Sequence, residues 1–241
     1  MKISNVHRAA FGLMFFAFML LSLPAVMAQS IKGSGEVKSQ SRSVSNIRGI
    51  EVSGGFVVEV TQGSNEGVRL EAQENLLDNI KTEVRNGILH IYNDKGISTS
   101  KSMKAFVTLQ NMESINISGG VKVIGNSSFK APVLKLDMSG GSNVKLTIAT
   151  DQVKGNLSGA SKVELLGKAG EVNMQLSGAS KMEASELEAK QVYVQASGAS
   201  SVKVYAQEAL DINASGASAV YYKGSPSITS NVSSAARVGK L

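Results

Sequence analysis

The chain has 241 residues, a formal net charge of +6 and no cysteine. Without cysteine it has no disulfide framework and no cysteine that could carry a lipid. Its basic residues are mixed with acidic ones and are not gathered into a dense patch with aromatic platforms. We therefore expect no nucleic-acid partner.

The first 28 residues have the pattern of a secretory signal peptide. Lys2 and Arg8 make the start positive, residues 9–21 are almost wholly apolar, and Val26-Met27-Ala28 provides small residues at the usual cleavage spacing. We predict a signal peptide at residues 1–28 and no transmembrane segment after its cleavage. An uncleaved anchor is the alternative, but the apolar run is short for a membrane span. The predicted location is the periplasm, the outer-membrane surface or the extracellular space.

The rest of the chain consists of a leader and a domain, and the domain has a part without a repeat and a part with a regular repeat. Residues 29–46 are rich in Ser, Gly, Lys and Gln and are predicted to be a flexible leader. Residues 47–241 are predicted to form one continuous domain, with an irregular β part at 47–113 and regular repeats at 114–241.

The irregular part contains signals for turns and short strands. Ser53-Gly54-Gly55 lies between two alternating runs and reads as an outlying repeat. Residues 75–80 resemble a short helical turn with Asn75 as its cap. Asn86-Gly87 between alternating runs predicts a β-hairpin. We expect this part to cover one end of the regular repeats, because an open end would expose a strand edge.

The regular part is built on a recurring tetrapeptide. Ser158-Gly159-Ala160-Ser161 recurs with the corner residues Ser177, Gly178, Ser197, Gly198, Ser215 and Gly216. Looser copies begin at Ser118, Ser139 and Ser233, and the first serines of successive copies are 18 to 21 residues apart. A period of this length is typical of repeat architectures. The glycines predict tight corners, and the alanines beside them indicate a crowded interior bend.

Apolar residues alternate with polar ones on both sides of each tetrapeptide. This is the pattern of strands with one buried face. One such coil cannot bury its apolar face alone, but stacked coils can. We predict an all-β protein, a right-handed parallel β-helix or β-solenoid whose coils are strand, corner, strand and loose return. Right-handedness follows from the preference of β-crossover connections. A left-handed hexapeptide solenoid is disfavoured because the strict six-residue period is missing.

Stacking turns equivalent repeat positions into rows. The residue two places before each first serine is almost always an amide; these residues are Asn116, Asp137, Asn156, Gln175, Gln195, Asn213 and Asn231. Such amides can hydrogen-bond along a stack and be structural, or they can contact sugar hydroxyls or a partner surface. A second row holds Lys122, Lys162, Lys181 and Arg237, which could favour an acidic polysaccharide or anionic lipid head groups but is more typical of a solvated face.

The sequence offers little for catalysis. His90 lies in the predicted hairpin and is interpreted as an ordinary strand residue. Glu164 and Glu183 share a repeat position in adjacent coils, with Lys145 and Lys203 flanking them, which favours a mixed-charge ladder over a glycosidase or cation pair. We expect no catalytic residues, no cofactor and no metal site.

These features together resemble a known family. The signal peptide, the Ser53-Gly54-Gly55 turn, the run at residues 74–78, the hairpin at 86–89 and the Ser-Gly ladder are similar to the putative auto-transporter adhesin, head GIN domain family (DUF2807). The resemblance covers about residues 46–225. It implies a fold like right-handed pectin-lyase-like β-helices, an adhesion or surface-interaction role, and no catalytic residues.

The function predicted from the sequence is that of an exported, non-catalytic β-solenoid that acts in adhesion or cell-envelope interaction. Its expected partner is a polysaccharide or a protein of the envelope or host surface. A carbohydrate-active β-helix enzyme centred on Glu164 and Glu183 is the first alternative. A self-associating structural envelope module, which would form homo-oligomers, is the second.

Overall fold

The structure of the protein, a computed structural model, describes residues 30–241. The signal peptide predicted for residues 1–28 lies outside the described residues. The described chain is nearly all β, with one short 3₁₀ helix, η1. The elements in chain order are β1 (Ile31–Lys32), β2 (Val37–Arg42), β3 (Gly49–Gly54), β4 (Phe56–Gln62), β5 (Gly67–Gln73), η1 (Glu74–Asn79), β6 (Ile80–Arg85), β7 (Ile88–Asn93), β8 (Ile97–Ser98), β9 (Met103–Leu109), β10 (Ser114–Gly119), β11 (Lys122–Met138), β12 (Asn143–Leu157), β13 (Lys162–Leu176), β14 (Lys181–Ala196), β15 (Ser201–Ala214), β16 (Ala219–Lys223), β17 (Ser227–Val232) and β18 (Arg237–Lys240).

Strands β10 to β18 stack in parallel, each on the strand one coil earlier. The stack is a β-solenoid of about 7 turns, which confirms the predicted fold class. The loose return expected in each coil is absent, because β11 to β15 are continuous strands of 14 to 17 residues that fill nearly a whole coil. The handedness of the solenoid stays a prediction.

Burial along β12 explains how one strand makes a coil. Val144, Leu146 and Ile148 are buried in alternation, and burial resumes at Val153 and Leu157. The alternation therefore changes phase between Ile148 and Val153, where the chain must turn a corner to keep apolar side chains inside. Each coil thus has two outer faces, one after the tetrapeptide and one before it.

The tetrapeptide forms the other corner. Its second serine is buried, and the hydroxyl of Ser161 donates to the carbonyl oxygen of Ser158 at 2.7 Å. The same bond, at 2.6 to 2.8 Å, is made by Ser142, Ser180, Ser200 and Ser218. The second-serine row is therefore structural, since each buried hydroxyl is hydrogen-bonded to backbone.

The expectation that the small residues of the tetrapeptide mark a crowded interior bend is wrong. Gly159 and Ala160 are exposed, so the small residues do not mark a crowded interior. The glycine is required for two other reasons: Gly159 has a φ of +71°, and a Cβ on it would lie 2.8 Å from the carbonyl oxygen of Gly140 in the preceding coil. Left-handed backbone and this close approach both exclude larger side chains.

The N-terminal end of the stack is closed by antiparallel strands. β3 and β4 form a true coil, with Ser53 paired to Ser118, as the outlying repeat predicted. Beyond this coil, β9 adds to one face and is followed by the antiparallel strands β5 and β2. On the other face, the predicted hairpin of β6 and β7 adds the last two strands, with Asn86 and Gly87 both at positive φ in its turn.

Two predictions near this end are wrong. Residues 37–42 are not a flexible leader, because they form β2 and pair with β5. The guanidinium of Arg42 fixes β2 in place by donating to the carbonyl oxygens of Leu77 and Ile80 at 2.8 and 2.6 Å. The cap of η1 is Gln73 without a side-chain bond, whereas the Asn75 side chain accepts from the backbone N–H of Ser34.

The core is one apolar column that runs through the described coils. Within residues 30–241, the last strands of the column are less covered than the others. Ile228 and Val232 of β17 are 43% and 37% exposed, although they lie in register with buried Leu210 and Ala214. No helical segment in residues 30–241 has the length and hydropathy of a membrane span.

Candidate ligand-binding face

The predicted amide residues lie in one unbroken row on the face before the tetrapeptide. We call this set the amide row: Asn116, Asp137, Asn156, Gln175, Gln195, Asn213 and Asn231. Each member is the direct Cα partner of the next, through the pairings of β10 to β15 and β17. Neighbouring members are therefore about 4.8 Å apart along the solenoid. All seven are exposed.

Only the N-terminal half of the amide row is bonded along the stack. The Asn156 amide donates to Asp137 at 2.8 Å, and the Asn116 amide donates to Glu51 at 3.4 Å. In residues 30–241, the side chains of Gln175 and Gln195, like those of Asn213 and Asn231, make no hydrogen bond to protein. The structural role considered for the amides thus applies to part of the row, and the donors and acceptors of the C-terminal half are unpaired among the described residues.

A shallow groove of about 330 Å³ follows this C-terminal half. One wall is formed by the amides of Asn156, Gln175, Gln195 and Asn213, and the other by the first serines of the tetrapeptides, Ser158, Ser177, Ser197 and Ser215. Amides and hydroxyls both donate and accept hydrogen bonds, so the groove presents the same mixed polar chemistry in four successive coils.

Three residues of this face were not predicted from the sequence to belong to it. Tyr193 lies two residues before Gln195 on the same face; it is 38% exposed, and its hydroxyl donates to Gln191 at 3.3 Å. Its ring is an apolar surface with a polar tip beside the groove. Glu51 and His90 continue the amide row toward the N-terminal end. The tyrosine could have been found because it occupies the outward position two residues from an amide-row member.

The pair considered for catalysis is a charge ladder on the other face. Glu164 and Glu183 are direct Cα partners. Lys145 lies 2.8 Å from Glu164, while Lys181 and Lys203 lie 2.6 and 3.4 Å from Glu183. Partial burial would raise the pKa of the Glu183 carboxyl, but the hydrogen bond and charge of Lys181, with those of Lys203, outweigh it and lower the pKa. A glycosidase acid needs a raised pKa, so the lowered pKa of Glu183 does not fit that role.

The remaining candidate residues are spread over the molecule. His90 faces Glu51, with Nδ1 3.3 Å from a carboxylate oxygen, and not a serine hydroxyl. Lys122, Lys162, Lys181 and Arg237 do fall in one row, on the face after the tetrapeptide. In the part of the chain that the structure describes, no three His, Asp or Glu side chains are grouped closely enough to hold a metal ion.

These features define a class: a parallel β-solenoid with a long polar face. The family model described as "Putative auto-transporter adhesin, head GIN domain" (DUF2807) matches residues 46–226. The chain belongs to this family, as its sequence resemblance predicted.

Solved structures share the fold. A putative adhesin from Bacteroides fragilis NCTC 9343 is 21% identical with a TM-score of 0.83, over 88% of this chain and 100% of that one. A putative adhesin from Parabacteroides distasonis ATCC 8503 is 18% identical with a TM-score of 0.73, over 88% and 100%. A putative lipid binding protein from the same strain is 19% identical with a TM-score of 0.68, also over 88% and 100%. No curated protein matches the chain.

Proposed function

We propose that the protein is an exported, non-catalytic adhesion module of the cell envelope that binds a polysaccharide along its amide row. The observation that carries this proposal is the run from Gln175 to Asn231, whose exposed amides have no hydrogen-bond partner in residues 30–241. A rigid column repeats one weak polar contact at each coil, and linked weak contacts give high overall affinity.

The family supports the proposal at the level of class, because its description is that of an adhesin and not of an enzyme. Two of the solved structures with the same fold are also described as putative adhesins. Export rests on the signal peptide predicted for residues 1–28 and agrees with an adhesion role. The low pKa of Glu183 and its lysine partners speak against the glycosidase alternative.

The test is a binding assay of the purified protein on a panel of bacterial and plant polysaccharides. Reducing ends are measured in the same wells. We expect binding without release of reducing ends. The variant N156A/Q175A/Q195A should bind at least about tenfold more weakly, because each lost hydrogen bond is worth about 1 kcal/mol.

The matched control is N143A/T147A/Q207A, which removes three polar side chains from outside the amide face. Its circular dichroism spectrum and its binding should both equal those of the unchanged protein. Equal binding by a folded amide-row variant would contradict the proposal. Release of sugar ends that depends on Glu164 and Glu183 would replace it with the enzyme alternative.

Self-association is the second candidate function, and the exposed strands β17 and β18 favour it. β17 and β18 pair with only one strand each among the described residues, and Ile228 and Val232 are exposed there. Unpaired strand edges with apolar side chains are templates for pairing with another chain. Light scattering decides: a monomer at all protein concentrations excludes self-association, and oligomers that form without ligand support it.

A further inference from the structure

A second groove, of about 550 Å³, lies on the amide face beside the hairpin of β6 and β7. Its lining includes three cationic side chains, Arg48, Lys135 and Lys154, and one carboxylate, Glu113. We call it the cationic groove. Its volume is within the range of small-ligand sites, and it shares no residue with the groove along the amide row.

The two lysines form a like-charge pair that the fold does not balance. Lys135 and Lys154 are direct Cα partners on adjacent coils, about 4.8 Å apart. Like charges at this separation destabilise a sheet. In residues 30–241 no carboxylate lies within 4.0 Å of either ammonium group. The contrasting lysine pair on the other face, Lys162 and Lys181, has Glu183 only 2.6 Å from Lys181.

Arg48 is held at the rim of the groove by the hairpin turn. Its backbone N–H donates to the carbonyl oxygen of Gly87 at 2.7 Å. The guanidinium packs so closely over this turn that a Cβ on Gly87 would lie 2.9 Å from Nε. The one carboxylate near Arg48, that of Glu113, is 3.9 Å away, and both side chains are about half exposed. The Arg48 side chain is 60% exposed, and guanidinium groups bind oxyanions in a bidentate manner.

The rest of the lining is half apolar, from Ile88, Pro132 and Val133, and half polar, from Asn86, Ser114 and Gln152. Ile88 and Val133 are partly buried, and Pro132 is exposed beside them. We propose that the cationic groove binds an acidic sugar, with its carboxylate held between Arg48 and the lysine pair and its ring against the apolar side chains. A concave site with an apolar wall fits a single sugar unit better than a flat membrane surface. The inference is independent of the amide row, because neither the groove nor its charges include amide-row residues.

Calorimetric titration with three carboxylated polysaccharides, polygalacturonate, alginate and hyaluronate, tests the groove. Methyl-esterified polygalacturonate has the same backbone without the charge. We expect the unchanged protein to bind at least one carboxylated polymer, with an affinity that falls as salt rises. The esterified polymer should bind at least about tenfold more weakly, and inorganic phosphate should compete.

The test variant is K135Q/K154Q, and K122Q/K162Q is the control that removes the same charge from the other face. Lys122, Lys135 and Lys154 are exposed and Lys162 is partly exposed, so both variants should keep the circular dichroism spectrum of the unchanged protein. We expect K135Q/K154Q alone to weaken binding by at least about tenfold. Equal weakening by both variants would show only a diffuse charge effect and overturn the site.

Two other outcomes would also overturn the inference. One is an absence of binding to all three carboxylated polymers. The other is that the protein binds vesicles of phosphatidylglycerol and phosphatidylcholine but not the polymers, and that K135Q/K154Q abolishes the vesicle binding. The amide-row variant N156A/Q175A/Q195A, run in parallel, separates a failure of this groove from a failure of the proposed adhesion surface.

Discussion

At the scale of single residues, glycine and serine determine the shape of each corner. The glycine with positive φ, such as Gly178, lets the backbone approach the preceding coil closely. The buried second serine, such as Ser180, donates a hydrogen bond to the backbone of its own coil. The neighbouring alanine or glycine is exposed and unconstrained. Three positions of one tetrapeptide therefore have three different requirements, although all three residue types are small.

Replacing Gly178 with alanine should destabilise the protein. Its φ is +70°, and a Cβ would lie 2.6 Å from the carbonyl oxygen of Gly159. The left-handed backbone alone costs about 1–2 kcal/mol, and relief of the overlap should add to this loss. The measurement is the free energy of unfolding in urea.

Gly141→Ala is the matched control for this prediction. A Cβ there would meet no atom closer than 3.9 Å, and the equivalent position in the next coil is already Ala160. It should change the free energy of unfolding by less than about 0.5 kcal/mol. Equal losses in both variants would show that the close approach at Gly178 does not limit the stack.

At the scale of elements, the repeat period allowed the rows to be predicted before the fold was seen. Stacking in parallel brings equivalent positions together, so the register of Asn156, Gln175 and Gln195 followed from alignment on the serines. β2 could not be found in this way. Its side chains are mostly exposed, so its sequence lacks apolar alternation, and backbone pairing with β5 and the Arg42 bonds hold it instead.

The cationic groove was not predicted from the sequence, for a different reason. Lys135 and Lys154 occupy one repeat position, whereas Arg48 lies before β3 and is held beside that row by backbone hydrogen bonds to Gly87 of the hairpin and to Glu113. Contacts between the irregular end and the regular stack have no period. The repeat pattern of the sequence therefore cannot predict these contacts.

The charge ladder on the other face makes a pH prediction. The pKa of Glu183 is lowered in the folded protein. Its stabilising contribution is therefore complete above the pKa of the unfolded chain and is lost as the pH falls through the folded pKa. The unchanged protein should lose more unfolding free energy than E183Q on acidification from about pH 5 to pH 3, by less than about 1 kcal/mol because the pair is partly exposed.

Urea unfolding at several pH values measures this difference, and E186Q is the control. The Glu186 side chain is 69% exposed, with its lysine partner 3.7 Å away, so its removal should change the acid dependence less. A pH dependence that is the same in E183Q and in the unchanged protein would show that the lysine contacts do not act on Glu183.

At the scale of the whole molecule, the protein is a column with different chemistry on its two faces. One face, after the tetrapeptide, carries lysine–glutamate pairs that bind each other. The opposite face carries the amide row, the first serines and the cationic groove. In residues 30–241 the side chains of Gln175, Gln195, Asn213 and Asn231 make no hydrogen bond to protein, and Lys135 and Lys154 have no carboxylate within 4.0 Å. We infer that the second face is the one that contacts other molecules.

The central claim is that one ligand chain lies along several coils of the amide row. The most direct measurement is the affinity for linear oligosaccharides of increasing length, prepared from a polysaccharide that binds in the panel. Asn156 and Asn213 are three coil steps apart, about 14 Å at the spacing of paired strands. We predict that the dissociation constant falls with each added sugar until the oligosaccharide spans this distance, and that N156A/Q175A/Q195A removes the dependence on length. A dissociation constant that does not change with length would contradict the account.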